Sequence, residues 1–164
     1  MMNNQSLHDL IRAELARAGS TRTSADNMVL SVAKRVAEAV EARAAEIGVN
    51  AVVAISDRAA RPVLVHVMED AYIASYDVAL QKAYTVVALK MSTMDLKPLA
   101  QPGGSLYGIQ FTNQGQIVIF GGGEPLKIGD TVIGGLGVSG GSEEEDAALA
   151  AWGAAYFASL VSHA

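Results

Sequence analysis

The chain contains no cysteine among its 164 residues. Disulfide bonds, thiolate metal sites and cysteine nucleophiles are therefore excluded, while the redox compartment stays undetermined. The chain also has no run of basic residues, and its formal net charge is −5. A protein that binds nucleic acid normally carries a basic patch or stripe, so a nucleic-acid partner is not expected.

Long apolar runs are also missing. No apolar run reaches the roughly 18 residues that a membrane-spanning helix requires. The N-terminal stretch MMNNQSLHDLIRAELARAG has neither the basic start nor the apolar centre of a secretion signal. These absences predict a cytoplasmic protein without a membrane partner.

Familiar catalytic patterns are absent as well. The chain shows no Ser-His-Asp order, no HExxH motif and no spaced cluster of metal ligands. No catalytic residue can be named from the sequence, and catalysis stays uncertain.

What is present is a globular composition, with 51% hydrophobic and 18% charged residues. Neighbouring strands are joined by tight turns, which predicts an α+β fold with an antiparallel sheet of about five strands flanked by helices. Ser75 is expected to cap the middle helix, Gly48 to end the first long helix, and Ser142 with Glu145 to form a capping box. The predicted elements are a helix at 25–47, strands at 51–56 and 63–68, a helix at 75–91, an irregular loop at 92–106, strands at 107–112, 116–120 and 131–138, and a last helix from Ser142.

Residues 1–24 are predicted to be separate from the single domain, residues 25–164. Within them, residues 6–18 have the spacing of an amphipathic helix, and residues 19–24 form a polar linker. A helix of about 13 residues is marginal alone in water, so its apolar stripe needs a surface to cover it. Periodicity alone leaves open whether that surface belongs to this domain, a second copy or another protein. The stripe consists of Leu7, Leu10, Ile11, Leu15 and Ala18.

The stretch at 117–146 is rich in glycine and raises the question of a phosphate loop. The Walker pattern fails because Glu124-Pro125 follows the three glycines at 121–123. GLGVSG at 135–140 has dinucleotide-loop spacing, but its first two glycines lie in a predicted strand and acids open the next helix. Bare backbone at two strand ends can instead offer N–H groups to a carboxylate. The candidate residues there are Gly121, Gly122, Gly123, Ser139, Gly140 and Gly141.

Three runs carry a resemblance to a known family: YDVALQKAYTVVALK, SLYGIQFTNQGQIVIFGGGEPL and VIGGLGVSGGSEEEDAALA. Together they resemble the C-terminal domain of the PduO family, within the wider GlcG/HbpS group, over about residues 25–160. The resemblance implies a profilin-like, homo-oligomeric domain that binds heme in several members, with a corrinoid as a second tetrapyrrole. It does not imply adenosyltransferase activity, because only a short helix is expected before residue 25.

The same resemblance bears on residues 6–18. PduO-type proteins belong to bacterial microcompartments, and LHDLIRAELARAG is similar to the encapsulation peptides of their cargo enzymes. The resemblance therefore favours docking to a shell protein through residues 6–18, in the microcompartment lumen, over packing on the chain's own domain.

Heme requires an apolar slot and an axial ligand, most often histidine. Of the three histidines, His8 lies on the polar side of the first helix and His163 is next to the C-terminus, which leaves His66 as the metal ligand. Met68 is a candidate second ligand, and Tyr72, Tyr76, Tyr84 or Tyr107 could ligate or stack. Each of these side chains could equally be a packing residue.

Lys82 lies in a helix among small and aromatic residues. It is expected either to snorkel to the surface or to bind a carboxylate or a heme propionate. Three functions follow: a heme-binding or tetrapyrrole-binding accessory protein, an enzyme acting on a small carboxylate or aldehyde at the glycines with Lys82, and a non-catalytic oligomeric scaffold.

Overall fold

The computed structural model describes residues 27–162. The α+β class is confirmed, while the predicted helix at 6–18 and its linker lie outside the described residues. The elements are α1 (Leu30–Glu46), β1 (Val52–Asp57), β2 (Pro62–Val67), α2 (Ile73–Leu89), α3 (Thr93–Leu99), β3 (Gly123–Ile128), β4 (Thr131–Ser139) and α4 (Glu143–Ser162).

The described strands form one antiparallel sheet in the order β2-β1-β4-β3. β1 is buried along its whole length, as its run of apolar residues predicts. Its side chains alternate, so Val53 and Ile55 face the core beneath α1 and α4, and Val52 and Ala54 face α2. The sheet thus lies between two helices on one face and one helix on the other.

The prediction of about five strands is wrong in number and partly in place. Residues 107–112 and 116–120 form turns and short 3₁₀ segments, because left-handed backbone at Gly108, Asn113 and Gln114 breaks any extended run. β3 instead follows the three glycines and contains Pro125. An edge strand tolerates proline, since one side of its backbone needs no hydrogen-bond partner.

The loop predicted at 92–106 contains the helix α3. Ser92 caps it by accepting a hydrogen bond from the Asp95 N–H at 3.0 Å, and Pro98 lies within its last turn. In a helix of seven residues, that proline removes very few hydrogen bonds. Ser75 does not cap α2 as predicted, because α2 already begins at Ile73.

The other predicted helix ends are confirmed. The Glu145 N–H donates to Ser142 Oγ, and the Ser142 N–H donates to Glu145 Oε2. This reciprocal pair is the expected capping box at the start of α4. Gly48 follows the last turn of α1 with a φ of +75°, a conformation that favours glycine.

Two glycines of β4 allow α2 to lie unusually close to the sheet. A Cβ on Gly137 would lie 2.0 Å from the Ala79 carbonyl oxygen, and one on Gly135 would lie 2.3 Å from that of Ala83. These glycines belong to the dinucleotide-like spacing, and their space is filled by the backbone of α2. Their role in this fold is close packing of helix and strand.

Candidate functional site

Lys82 is the largest fully buried side chain of the described residues, with an exposure of 0%. α2 directs it past the end of β4, where Nζ donates to Asp146 Oδ2 at 2.9 Å and to the Val138 carbonyl oxygen at 2.8 Å. The ammonium also lies 5.0 Å from the centre of the Phe120 ring. The lysine therefore does not snorkel to the surface, and it joins α2 to the start of α4.

The ionisation of Lys82 reflects this enclosure. Burial lowers the pKa of Lys82 below its ordinary value, because the charged form loses water, and the nearby Asp146 carboxylate partly offsets the effect. The pair is a buried salt bridge with a further backbone acceptor. Removing one partner of such a pair leaves a charge without compensation.

The glycine loops do present N–H groups to carboxylates, and these carboxylates belong to the chain itself. The N–H groups of Gly140 and Gly141 donate to Asp146 Oδ1 at 3.0 and 2.9 Å. The Gly121 N–H donates to Glu143 Oε1 at 2.9 Å. A ligand carboxylate at either loop would have to displace one of these side chains.

Gly122 and Gly123 close the same region from the other side. A Cβ on Gly122, whose φ is +110°, would lie 2.5 Å from Lys82 Nζ. The Gly123 N–H donates to Thr93 Oγ1 at 2.9 Å, which ties α3 to the start of β3. Ser139 is also engaged, because its hydroxyl lies 3.2 Å from the Ser75 hydroxyl.

The acids at the start of α4 are more than a cap and a solvated face. Lys97 donates to Glu143 Oε2 at 2.6 Å, and this bond with that from the Gly121 N–H lowers the pKa of Glu143. Asp146 is buried against Lys82. Sequence reasoning missed Asp146 as a partner of Lys82, because the two residues are 64 positions apart and no local pattern links them.

His66 lies at the opposite edge of the sheet, on β2. Three strand spacings separate β2 from β3, a distance of about 14 Å, so His66 and the glycine loops do not share a site. His66 Nδ1 lies 2.7 Å from Glu41 Oε1 on α1, and the His66 side chain is 29% exposed. With Nδ1 hydrogen-bonded to a carboxylate, Nε2 is the nitrogen left to bind a metal.

A groove with a volume of about 610 Å³ lies beside this pair, between α1 and β2. Met68 lines it, but the Met68 sulfur accepts a hydrogen bond from the Ala51 N–H at 3.3 Å and packs against the core. His66 and Met68 are two positions apart on one strand, so they project from the same face. They cannot bind one iron from opposite sides of a porphyrin.

The predicted tyrosines are spread over the surface. Tyr107 is 64% exposed in the loop before β3, and Tyr72 and Tyr76 lie exposed at the start of α2. The Tyr84 hydroxyl accepts a hydrogen bond from the Asn113 side chain. None of these four contacts His66 through a bond recorded for the described residues.

Two further properties of residues 27–162 bear on function. No group of three or more His, Asp or Glu side chains in this range is arranged to hold a metal ion. None of the helices in the same range is long and apolar enough to cross a membrane. A metal at His66 would therefore have to arrive with its own ligands, as heme iron does.

Known proteins resemble this chain along most of its length. Residues 28–155 match the family described as haem degrading protein HbpS-like. A 15.0 kDa uncharacterized protein of Citrobacter freundii, from the dhaT-dhaS intergenic region, is 47% identical over 123 residues, 75% of this chain and 87% of that protein.

Two PduO proteins are also similar. The crystal structure of PduOC with heme is 37% identical with a TM-score of 0.76, and the match covers 79% of this chain and 94% of that chain. The corrinoid adenosyltransferase PduO of Citrobacter freundii is 37% identical over 134 residues, 82% of this chain. The chain spans 40% of the length of that adenosyltransferase.

Proposed function

The chain belongs to the HbpS-like family, and from this premise we propose that it is an accessory protein that binds heme or a related tetrapyrrole. The observation that carries the proposal is the likeness to PduOC in complex with heme, which extends over 94% of that chain. Bound heme would supply a one-electron redox centre.

His66 is the ligand that the geometry supports among the described residues. The Glu41 carboxylate holds Nδ1, fixes the tautomer and increases the basicity of Nε2, an arrangement common in histidines that ligate metals. The groove beside it offers the apolar side chains of Val67 and Met68.

The fit to heme is partial. Glu38, Glu41 and Glu69 line the same groove and would repel the propionates, so these groups would have to face solvent. Lys82 cannot receive a propionate in this conformation, because its ammonium is enclosed by Asp146, Val138 and Phe120. The residues fit an iron ligand better than they fit a complete heme pocket.

An absorbance titration with hemin tests this proposal. We expect a saturable, shifted Soret band with the wild-type protein, and its loss in His66→Ala. His8→Ala is the matched control, because it removes a histidine outside the described domain. A band that survives in His66→Ala would retain the function and overturn the site, and the absence of a saturable band would overturn the function.

Glu41→Gln tests how His66 is positioned. The amide keeps a hydrogen-bonding group near Nδ1 but removes the negative charge that increases the basicity of Nε2. We expect hemin to bind with a higher iron reduction potential in this variant. An unchanged potential would mean that Glu41 does not act through His66.

We further propose that the protein is cargo of a bacterial microcompartment and docks to a shell protein through residues 6–18. The support is the amphipathic pattern of this segment together with the likeness to PduO. A reporter fused to residues 1–24 should concentrate at shells in cells that make them. A diffuse signal would overturn the docking proposal and leave heme binding untouched.

A homo-oligomeric scaffold is the second candidate, and one observation favours it. Tyr72, Ile73 and Tyr76 form an exposed apolar patch at the start of α2. Patches of this kind often mark contacts between proteins. Light scattering of the purified protein should give a mass of several chains, and a mass of one chain would exclude this candidate.

A further inference from the structure

An apolar groove lies between the C-terminal end of α1 and the first half of α4. Its volume is about 320 Å³, and its floor and walls include Ile47, Ala148, Leu149 and Trp152. Ile47 and Trp152 are 41% and 40% exposed, although both are large hydrophobic residues. Trp152 is stacked on Tyr156 with ring centres 5.7 Å apart, which extends the apolar wall along α4.

The groove carries charges of opposite sign on its two sides. Arg43 lies on the α1 side, and Glu144 and Glu145 lie on the α4 side. An occupant that fits would combine an apolar stripe with charges of both signs beside it. This is the description of a short amphipathic helix.

The chain itself contains such a segment. Residues 6–18 combine an apolar stripe with Arg12 on one flank, and Glu14 lies towards the opposite flank. In a helix, Arg12 can therefore face Glu144 and Glu145 while Glu14 faces Arg43. The charges of the segment thus complement those of the groove.

The connecting chain is long enough. The described chain begins beside the β1–β2 turn, where Asn27 accepts a hydrogen bond from the Arg58 N–H. The groove lies at the far end of α1, whose 17 residues span about 25 Å at 1.5 Å per residue. Residues 19–26 cover about 27 Å when extended, so the segment can reach the groove of its own domain.

We propose that residues 6–18 dock as a helix in the α1–α4 groove of the same chain, with Leu10 and Ile11 against Trp152 and Ala148. This docking covers an apolar surface that residues 27–162 leave open. It does not depend on heme binding, and the reporter fusion tests shell docking separately, so either idea can fail alone.

Trp152 is the only tryptophan of the chain and lies in the groove. Quenching of its fluorescence by acrylamide therefore reports whether the groove is covered. In the full-length protein, Leu10→Asp should increase quenching and shift the emission to longer wavelength. Ala13→Asp adds the same charge on the opposite face of the predicted helix and should leave both values as in the wild type.

Two results would contradict the proposal. Equal quenching in wild type and Leu10→Asp would show that the segment does not cover Trp152. An equal increase in both variants would show an effect of charge rather than of the apolar stripe. Both changes lie outside residues 27–162, so loss of the described fold does not confuse the comparison.

A second experiment distinguishes docking within one chain from exchange between two chains. The natural chain has no cysteine, so Leu10→Cys combined with Ala148→Cys introduces a single pair. Oxidation should produce a crosslinked monomer, at a yield well above that of Ala13→Cys combined with Ala148→Cys. A predominantly crosslinked dimer, or equal yields, would overturn docking in the same chain.

Discussion

The two edges of the sheet differ in how their polar groups are used. At the β3–β4 edge, Lys82, Asp146 and the glycine loops satisfy one another and leave no room for a ligand. At the β2 edge, His66 is held by a single carboxylate, is partly exposed and borders an open groove. Polar residues at the first edge support the fold, whereas the second edge offers a nitrogen to a ligand.

This difference shows that a chemically conspicuous sequence need not mark a binding site. The glycines and the lysine stand out in the sequence because the fold requires close packing and a buried salt bridge at that edge. His66 has no comparable motif around it. Its availability depends on Glu41, which lies 25 residues earlier on another element.

The largest expected effect is that of Lys82→Met. The substitution keeps most of the side-chain volume but leaves the Asp146 carboxylate buried without its cation. We expect the free energy of unfolding to fall by about 3–5 kcal/mol, the usual cost of breaking a buried pair. Urea denaturation followed by circular dichroism measures the change.

The double variant Lys82→Met with Asp146→Asn provides the control. Removing both charges should recover part of the loss, because no buried charge remains unpaired. A Lys82→Met protein as stable as the wild type would show that the lysine is not structural. In that case the closed description of the β3–β4 edge would fail.

Gly137→Ala comes next. The new methyl group would lie 2.0 Å from the Ala79 carbonyl oxygen, so α2 would have to move away from β4. Overpacking of this kind costs about 1–3 kcal/mol, and more where backbone must shift. Gly134→Ala adds the same methyl group on a neighbouring part of β4, but partly against the flexible Met28 side chain.

Urea denaturation of the two glycine variants orders them. Gly137→Ala should have the lower denaturation midpoint, because its obstacle is the backbone of α2 on a buried face. Equal midpoints would mean that the close approach of α2 is not what requires glycine in β4.

The sequence predicted most of this architecture. The helices, β1, β2, β4 and the capping box at Ser142 each have a local cause in apolar periodicity or cap chemistry. β3 was not found, because Pro125 and three glycines are typical of a loop and only the edge position explains them. Local rules fail where a neighbouring element decides the outcome.

The candidate site was less predictable. Lys82 and the glycines were correctly placed near one another, but the carboxylates that occupy them come from α4. Whether a lysine is enclosed or open depends on tertiary packing, which no spacing in α2 encodes. The same holds for the pairing of His66 with Glu41.

A smaller effect concerns acid stability at the β3–β4 edge. The hydrogen bonds from Lys97 and the Gly121 N–H lower the pKa of Glu143 below its ordinary value of 4.5. The stabilisation is therefore present above that value and is lost as the pH falls through the lower pKa of the folded state. Glu143→Gln should reduce the dependence of the unfolding free energy on pH below 4.5, and an unchanged slope would contradict the role of Glu143.

The smallest effect on stability is expected at the β2 edge. His66 and Glu41 are both partly exposed, and an ion pair in such a position is worth about 0–1 kcal/mol. His66→Ala should therefore leave the denaturation midpoint close to that of the wild type, in contrast with Lys82→Met. Because the groove is already open, nothing else in the fold depends on the imidazole. A large loss of stability in His66→Ala would place His66 among the structural residues and remove the contrast between the two edges.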